Sequence, residues 1–213
     1  MFRIIGEFVE GFDSLTGIEP AITIYGSARL KQDNPLYSQT QDIAFRLGEL
    51  GFSIVTGGGG GVMEAANKGA RAAGVSSVGL NIELPMEQTL NSYTTKSITF
   101  HHFFVRKVML AKYATAFIIL PGGLGTLDEL FEILTLIQTQ KVRPFPVIMV
   151  NQAYWQGLLD WLKSTVLAAG NISPEDFNLL RVCDKTEEVI ETVQAWYKRH
   201  EVTGRQVFEA TDV

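Results

Sequence analysis

Apolar residues recur along this chain with two periods, and stretches of the two kinds alternate. Near the start, Phe2, Ile5, Phe8, Val9 and Phe12 repeat at helical spacing over residues 1–13. Gly17 to Pro20 reads as a linker, and Ala21-Ile-Thr-Ile-Tyr25 is a run suited to a buried strand. Gly26-Ser27-Ala28-Arg29 ends that strand. Pro35 lies near the start of a helix running to about Leu50, with Ile43, Ala44, Leu47 and Leu50 inward and Gly51 as its stop. Further strands are predicted at 53–56, 77–80, 116–120, 145–150 and 180–183, with another at 96–100. Helical spacing marks 62–73, 103–113, a segment from Thr126, 155–169 and 186–197. Residues 81–96 show no period and contain Pro85, which predicts a loop long enough to be functional. The polar tail from His200 is expected to fray.

Strands alternating with helices predict an α/β fold: a Rossmann-like, doubly wound, mostly parallel sheet with helices on both faces. The length fits one domain over 1–213, with a helix and linker at 1–20. The expected strand order is of the 3-2-1-4-5 kind, with the switch point between the 21–25 and 116–120 strands. The loops 26–29 and 121–126 would then face each other across one crevice, where such sheets bind ligands.

The chemistry centres on residues 116–138. Pro121 ends the apolar run, because it has no N–H for the ladder. Gly122, Gly123 and Gly125 follow, allowing tight conformations and close approach of a ligand. Leu127, Leu130, Phe131, Leu134 and Ile137 then repeat at helical spacing. A strand, a glycine turn and a helix N-terminus form a natural anion site. Thr126-Leu-Asp-Glu129 also fits a capping box, which explains Thr126 and Glu129 but requires no three glycines.

Other candidate motifs are weaker. The five glycines 57–61 are not a dinucleotide fingerprint, because they follow the second strand rather than the first. Nor are they a P-loop, since no Gly-Lys-Ser/Thr closes the run. Part of the run suits a tight turn, and part could donate N–H groups to a phosphate. Arg106 and Lys107 lie in an otherwise apolar helix start. Snorkelling to water is the default for Lys107, whereas Arg106, with aromatic neighbours, is harder to assign to packing. His101 and His102 would point to opposite faces if they continued a strand. No Cys/His/Asp spacing predicts a metal site. Ser27 and Arg29 suit a phosphate or ribose contact and simple turn roles alike.

Composition narrows the function classes. The net charge is −5 and no Lys/Arg block stands out, which argues against a nucleic-acid partner. Cys183 is the only cysteine, so no intrachain disulfide forms, and it reads as a small buried apolar group. Glu7, Glu10 and Asp13 interrupt any signal-peptide core, and no run reaches the ~20 apolar residues of a membrane span. A cytoplasmic protein without membrane contact is expected.

Pro121-Gly-Gly-Leu-Gly-Thr-Leu-Asp-Glu129 resembles the PGGxGTxxE signature of the LOG (LONELY GUY) family, whose members are often mislabelled lysine decarboxylases. Residues 56–67 are similar to the family's GGGxxGxM motif and keep Met63. Arg106-Lys107 resembles its Arg-Lys step, and Leu84-Pro-Met-Glu-Gln88 its MPxE segment. The resemblance spans about Ile22 to Val150. It implies a phosphoribohydrolase that cleaves the N-glycosidic bond of a nucleoside 5′-monophosphate, AMP or an N6-substituted adenine nucleotide, to free base and ribose 5-phosphate. It also implies no cofactor, a homodimer, Arg106 and Glu129 as essential residues, and Glu87 as a nucleotide contact. With the residues of the glycine turns, the candidate substrate-binding set is Ser27, Arg29, Gly58, Gly59, Met63, Glu87, Lys107, Gly122, Gly123, Gly125, Thr126 and Asp128. Breaking the bond makes C1′ cation-like, and a fixed carboxylate beside it stabilises that charge and activates water. A nucleotide or molybdenum-cofactor carrier on the same scaffold is the alternative; it has no need of a carboxylate there. Nothing resembles a pyridoxal-phosphate lysine site.

Overall fold

The structure is a computed structural model that describes residues 2–84 and 90–201. In chain order it contains α1 (Phe2–Leu15), β1 (Ala21–Tyr25), α2 (Pro35–Glu49), β2 (Ser53–Thr56), α3 (Val62–Ala72), β3 (Ser77–Ile82) and β4 (Lys96–Phe100). These are followed by α4 (Phe103–Lys112), β5 (Ala114–Ile119), α5 (Leu124–Gln138), β6 (Val147–Val150), α6 (Gln152–Trp161), β7 (Leu180–Cys183) and α7 (Thr186–Glu201). The strands form one sheet in the order β4-β3-β2-β1-β5-β6-β7. Every pairing is parallel, so the sheet is doubly wound with its switch point between β1 and β5.

The continuous apolar runs follow from this topology. A central parallel strand is covered on both faces, so each residue of β1 is buried. Alternate side chains serve two cores. Ile22 and Ile24 pack with Ile43 and Leu47 of α2, Val62 and Ala66 of α3 and Val189 and Val193 of α7. Ala21 and Tyr25 face the other core, with Met109 and Leu110 of α4, Leu130 and Ile133 of α5 and Trp155 of α6. Thr23 is the polar exception, and its hydroxyl donates to the Leu110 carbonyl at 2.9 Å. Cys183 is buried, as its apolar setting predicts.

Local chemistry sets the helix starts. Asn34 caps α2, its Oδ1 accepting from the Leu36 N–H at 2.9 Å, with Pro35 in the first turn. α6 begins at Gln152, three residues before the expected start, because Asn151 in the left-handed region (φ 78°) accepts from the Tyr154 N–H. The helix expected over 155–169 loosens into a π-helical turn at Leu162–Leu167.

The glycine run is tied down from behind. Thr56 Oγ1 accepts from the Gly58 N–H (3.0 Å) and donates to Asn67 Oδ1 (2.7 Å). The Asn91 amide donates to the carbonyls of Gly58 and Gly59 at 3.0 and 2.9 Å. Gly61 precedes α3 at φ 63°, and a Cβ there would run into the Ser27 carbonyl. Gly61→Ala should therefore cost about 2–4 kcal/mol in urea denaturation. Gly60→Ala, whose Cβ would meet only the Ala28 oxygen at 3.4 Å, should cost well under half of that.

Candidate functional site

Three loops leave the carboxyl ends of β1, β2 and β5 and surround a cleft of about 700 Å³. They are joined through the backbone. The Ser27 N–H donates to the Pro121 carbonyl and the Val62 N–H to the Ser27 carbonyl, both at 3.0 Å. Gly122 sits against the Thr126 side chain and the Ser27 nitrogen, and Gly26 against Val62. Any side chain at either glycine would push the loops apart.

The fourth wall is α5, which starts at Leu124 rather than at Thr126. Gly123 is its N-cap, with no side chain to cap it, so the capping box expected of Thr126 and Glu129 does not form. Thr126 and Leu127 donate their N–H groups to the Gly123 carbonyl, while Leu124 and Gly125 line the cleft. The first-turn N–H groups and the positive end of the helix dipole are thus presented to a ligand. The Tyr154 hydroxyl braces this turn from α6 by donating to the Gly122 carbonyl at 2.6 Å.

Glu129, freed from capping, turns into the cleft from the second turn of α5. It is 9 % exposed, and among the described residues no donor lies within hydrogen-bond distance of its carboxylate. Burial pushes its pKa up to about 7. Lys107 and Arg106 pull it down, and Glu132 and Asp128 push it further up. Arg106 approaches from α4. Its Nε donates to the Leu80 carbonyl at 2.6 Å and its guanidinium lies over Gly57. Burial lowers its pKa, and Glu129 partly offsets that. The two charges share the cleft without an ion pair within 4.0 Å among the described residues. Tyr25, at the end of β1, also lines it, and its phenol is held well above the ordinary pKa by burial and by Glu129.

The remaining predicted residues divide. Ser27, Arg29, Met63, Gly123, Gly125, Thr126 and Asp128 line the cleft with Arg106 and Glu129. Ser27 also makes a local turn, its hydroxyl accepting from the Arg29 N–H. Gly58 and Gly59 lie off the cleft, their carbonyls held by Asn91, while Gly57 takes the lining position. Gly122 supports the turn from behind. Lys107 is partly buried and does not line the cleft; its Nζ pairs with Asp128 (2.8 Å) and Glu132 (2.7 Å). Glu87 lies outside the described residues. His101 and His102 do not diverge. The strand ends at Phe100, the chain turns into α4, and both rings place Nδ1 within 3.2 Å of Glu7 Oε1 on α1. Ile24, Tyr25, Gly26, Ala28, Gly57, Phe103 and Leu124 complete the lining among the described residues. Tyr25 reads in sequence as the last residue of a strand, and only its position at the switch point signals a site.

A buried carboxylate, a part-buried guanidinium and an open helix N-terminus thus meet at the switch point of a parallel sheet. Residues 63–193 match the family described as "Possible lysine decarboxylase", and the chain belongs to this family, the LOG family. It is 30% identical over 166 residues to the cytokinin riboside 5′-monophosphate phosphoribohydrolase of Mycobacterium tuberculosis, covering 74% of this chain and 87% of that one. It is 33% identical over 110 residues to the cytokinin riboside 5′-monophosphate phosphoribohydrolase LOG1 of Arabidopsis thaliana, a match spanning 51% of each chain. In fold it is similar to the Moco carrier protein of Chlamydomonas reinhardtii, with a TM-score of 0.58 at 22% identity over 84% of this chain and 98% of that one.

The Glu129 environment has a measurable cost. The folded state holds the Glu129 proton up to about pH 7, whereas an unfolded carboxyl releases it near 4.5. Stability therefore falls as pH rises between those values. Glu129→Gln should be more stable than wild type by about 1–3 kcal/mol at pH 8 and level with it below about pH 4.5, by chemical denaturation at each pH.

Proposed function

We propose that the chain hydrolyses the N-glycosidic bond of a nucleoside 5′-monophosphate, releasing the free base and ribose 5-phosphate. The observation that carries this reading is Glu129: a buried carboxylate without a hydrogen-bond donor among the described residues, poised near neutrality in the second turn of a helix whose N-terminus can hold a phosphate. The 5′-phosphate would sit at the N–H groups of Leu124 and Gly125, with Arg29 at the rim. That seats C1′, at the far side of the same ribose, toward Glu129. As the bond to the base lengthens, the carboxylate stabilises the cation-like C1′ and takes a proton from the attacking water. The base departs with the electron pair of the broken bond and is protonated as it leaves. Arg106, anchored by the Leu80 carbonyl, directs its remaining N–H groups at substrate oxygen or nitrogen atoms. Adenine nucleotides, including N6-substituted ones, are the first substrates to test, in keeping with the relatives' names. Exposed Phe103, Phe104 and Val108 on α4 and Leu124 on α5 support assembly as a homodimer beside the cleft. Among the described residues no helix is long and apolar enough to cross a membrane.

The test is chromatographic detection of adenine released from AMP and from an N6-isopentenyl analogue. Wild type should release base, with kcat/KM rising through about pH 7 as Glu129 ionises. Glu129→Gln and Arg106→Ala should each lose on the order of 10²–10⁴-fold while remaining folded. Binding of AMP by wild type without release of base would show a carrier instead.

A further inference from the structure

Asp128, Glu129 and Glu132 project from little more than one turn of α5. Three carboxylates so close repel one another, and burying the middle one compounds the cost. Among the described residues the one cation pairing with this group is Lys107 of α4, whose side chain is 16 % exposed and whose Nζ bridges Asp128 at 2.8 Å and Glu132 at 2.7 Å. Those two contacts flank Glu129, and Arg106, the next residue back on α4, faces the cleft. We propose that Lys107 is a positioning residue for the reaction: clasped by Asp128 and Glu132, it fixes α5 against α4 and keeps Glu129 in its working, ionised form, without touching substrate. This rests on the hydrolase reading above, in which Glu129 is the base.

Among the described residues the titratable groups facing Glu129 come from three elements: the neutral Tyr25 on β1, Arg106 and Lys107 on α4, and Asp128 and Glu132 on α5. Among the cations, Lys107 acts on it more strongly than Arg106. A Lys107 that merely snorkelled would leave the state of Glu129 unchanged when removed. A Lys107 that bound substrate would, on removal, also raise the KM for AMP at pH 9, where Glu129 is ionised either way; the clasp leaves that KM unchanged.

The experiment follows the side-chain carboxyl carbon of Glu129 by NMR across pH in the full chain, assigned by its loss in Glu129→Gln, alongside the pH profile of kcat/KM on AMP. Lys107→Met should move the Glu129 midpoint up by about one pH unit. It should lower kcat/KM roughly fivefold at pH 7 and hardly at all at pH 9. Lys107→Arg keeps the charge and should restore the wild-type midpoint. Glu132→Gln removes an opposing carboxylate and should move it down. An unmoved midpoint in folded Lys107→Met overturns the proposal, whatever happens to turnover, and so does failure of Lys107→Arg to restore it. The NMR titration reads the clasp even if AMP is not hydrolysed, so loss of the hydrolase reading and loss of the Lys107 role are separate results.

Discussion

Two backbone hydrogen bonds organise the functional end of this molecule: the Ser27 N–H to Pro121 and the Val62 N–H to Ser27. They splice the loops after β1, β2 and β5 into one frame. Such bonds form only if the backbones touch, so Gly26, Gly61 and Gly122 stand where a Cβ would meet a neighbouring loop. What presents a helix N-terminus to the cleft is therefore the joint between three loops, and the glycines are its condition rather than its ornament. The N–H groups of Leu124 and Gly125, at the cleft, are the ones this joint leaves over.

Against that rigid frame stands Glu129, which weakens the fold. Removing a carboxylate from water without a donor is unfavourable, and the protein softens the cost with two cations of α4 rather than with a direct ion pair. An Arg106–Glu129 pair would close the cleft between them. Keeping the two charges on opposite walls, Arg106 held by Leu80 and Lys107 by Asp128 and Glu132, leaves each available. This is the usual exchange of stability for readiness at functional sites.

The sheet was legible because a strand covered on both faces must be apolar throughout, as in Ala21–Tyr25 and Ala114–Ile119. The switch point followed from the order of those strands, and with it the meeting of the 26–29 and 121–126 loops. The start of α5 was misplaced because Thr126 and Glu129 carry the capping-box pattern while glycine can cap through its backbone alone. Strand alternation misled for His101 and His102, since it lapses at Phe100, where the chain turns to meet Glu7. The partners of Lys107 lie more than a helix away in sequence, and no local period announces them. Tyr25 and Gly57 belong to the cleft by topology, not by motif.

The position of β1 between β2 and β5 has a kinetic side. Its pairing with β5 joins residues about 90 positions apart, whereas β1–β2 and β2–β3 close much shorter loops. Loop-closure entropy favours the half built from β1 to β4 assembling before β5 docks. Until then Pro121 has no Ser27 to accept from, and Glu129 and Arg106 have no common cleft. During synthesis the glycine run and the basic helix α4 would therefore be structured before Glu129 arrives. The site would appear in one late step, as the seam between two halves of the chain closes.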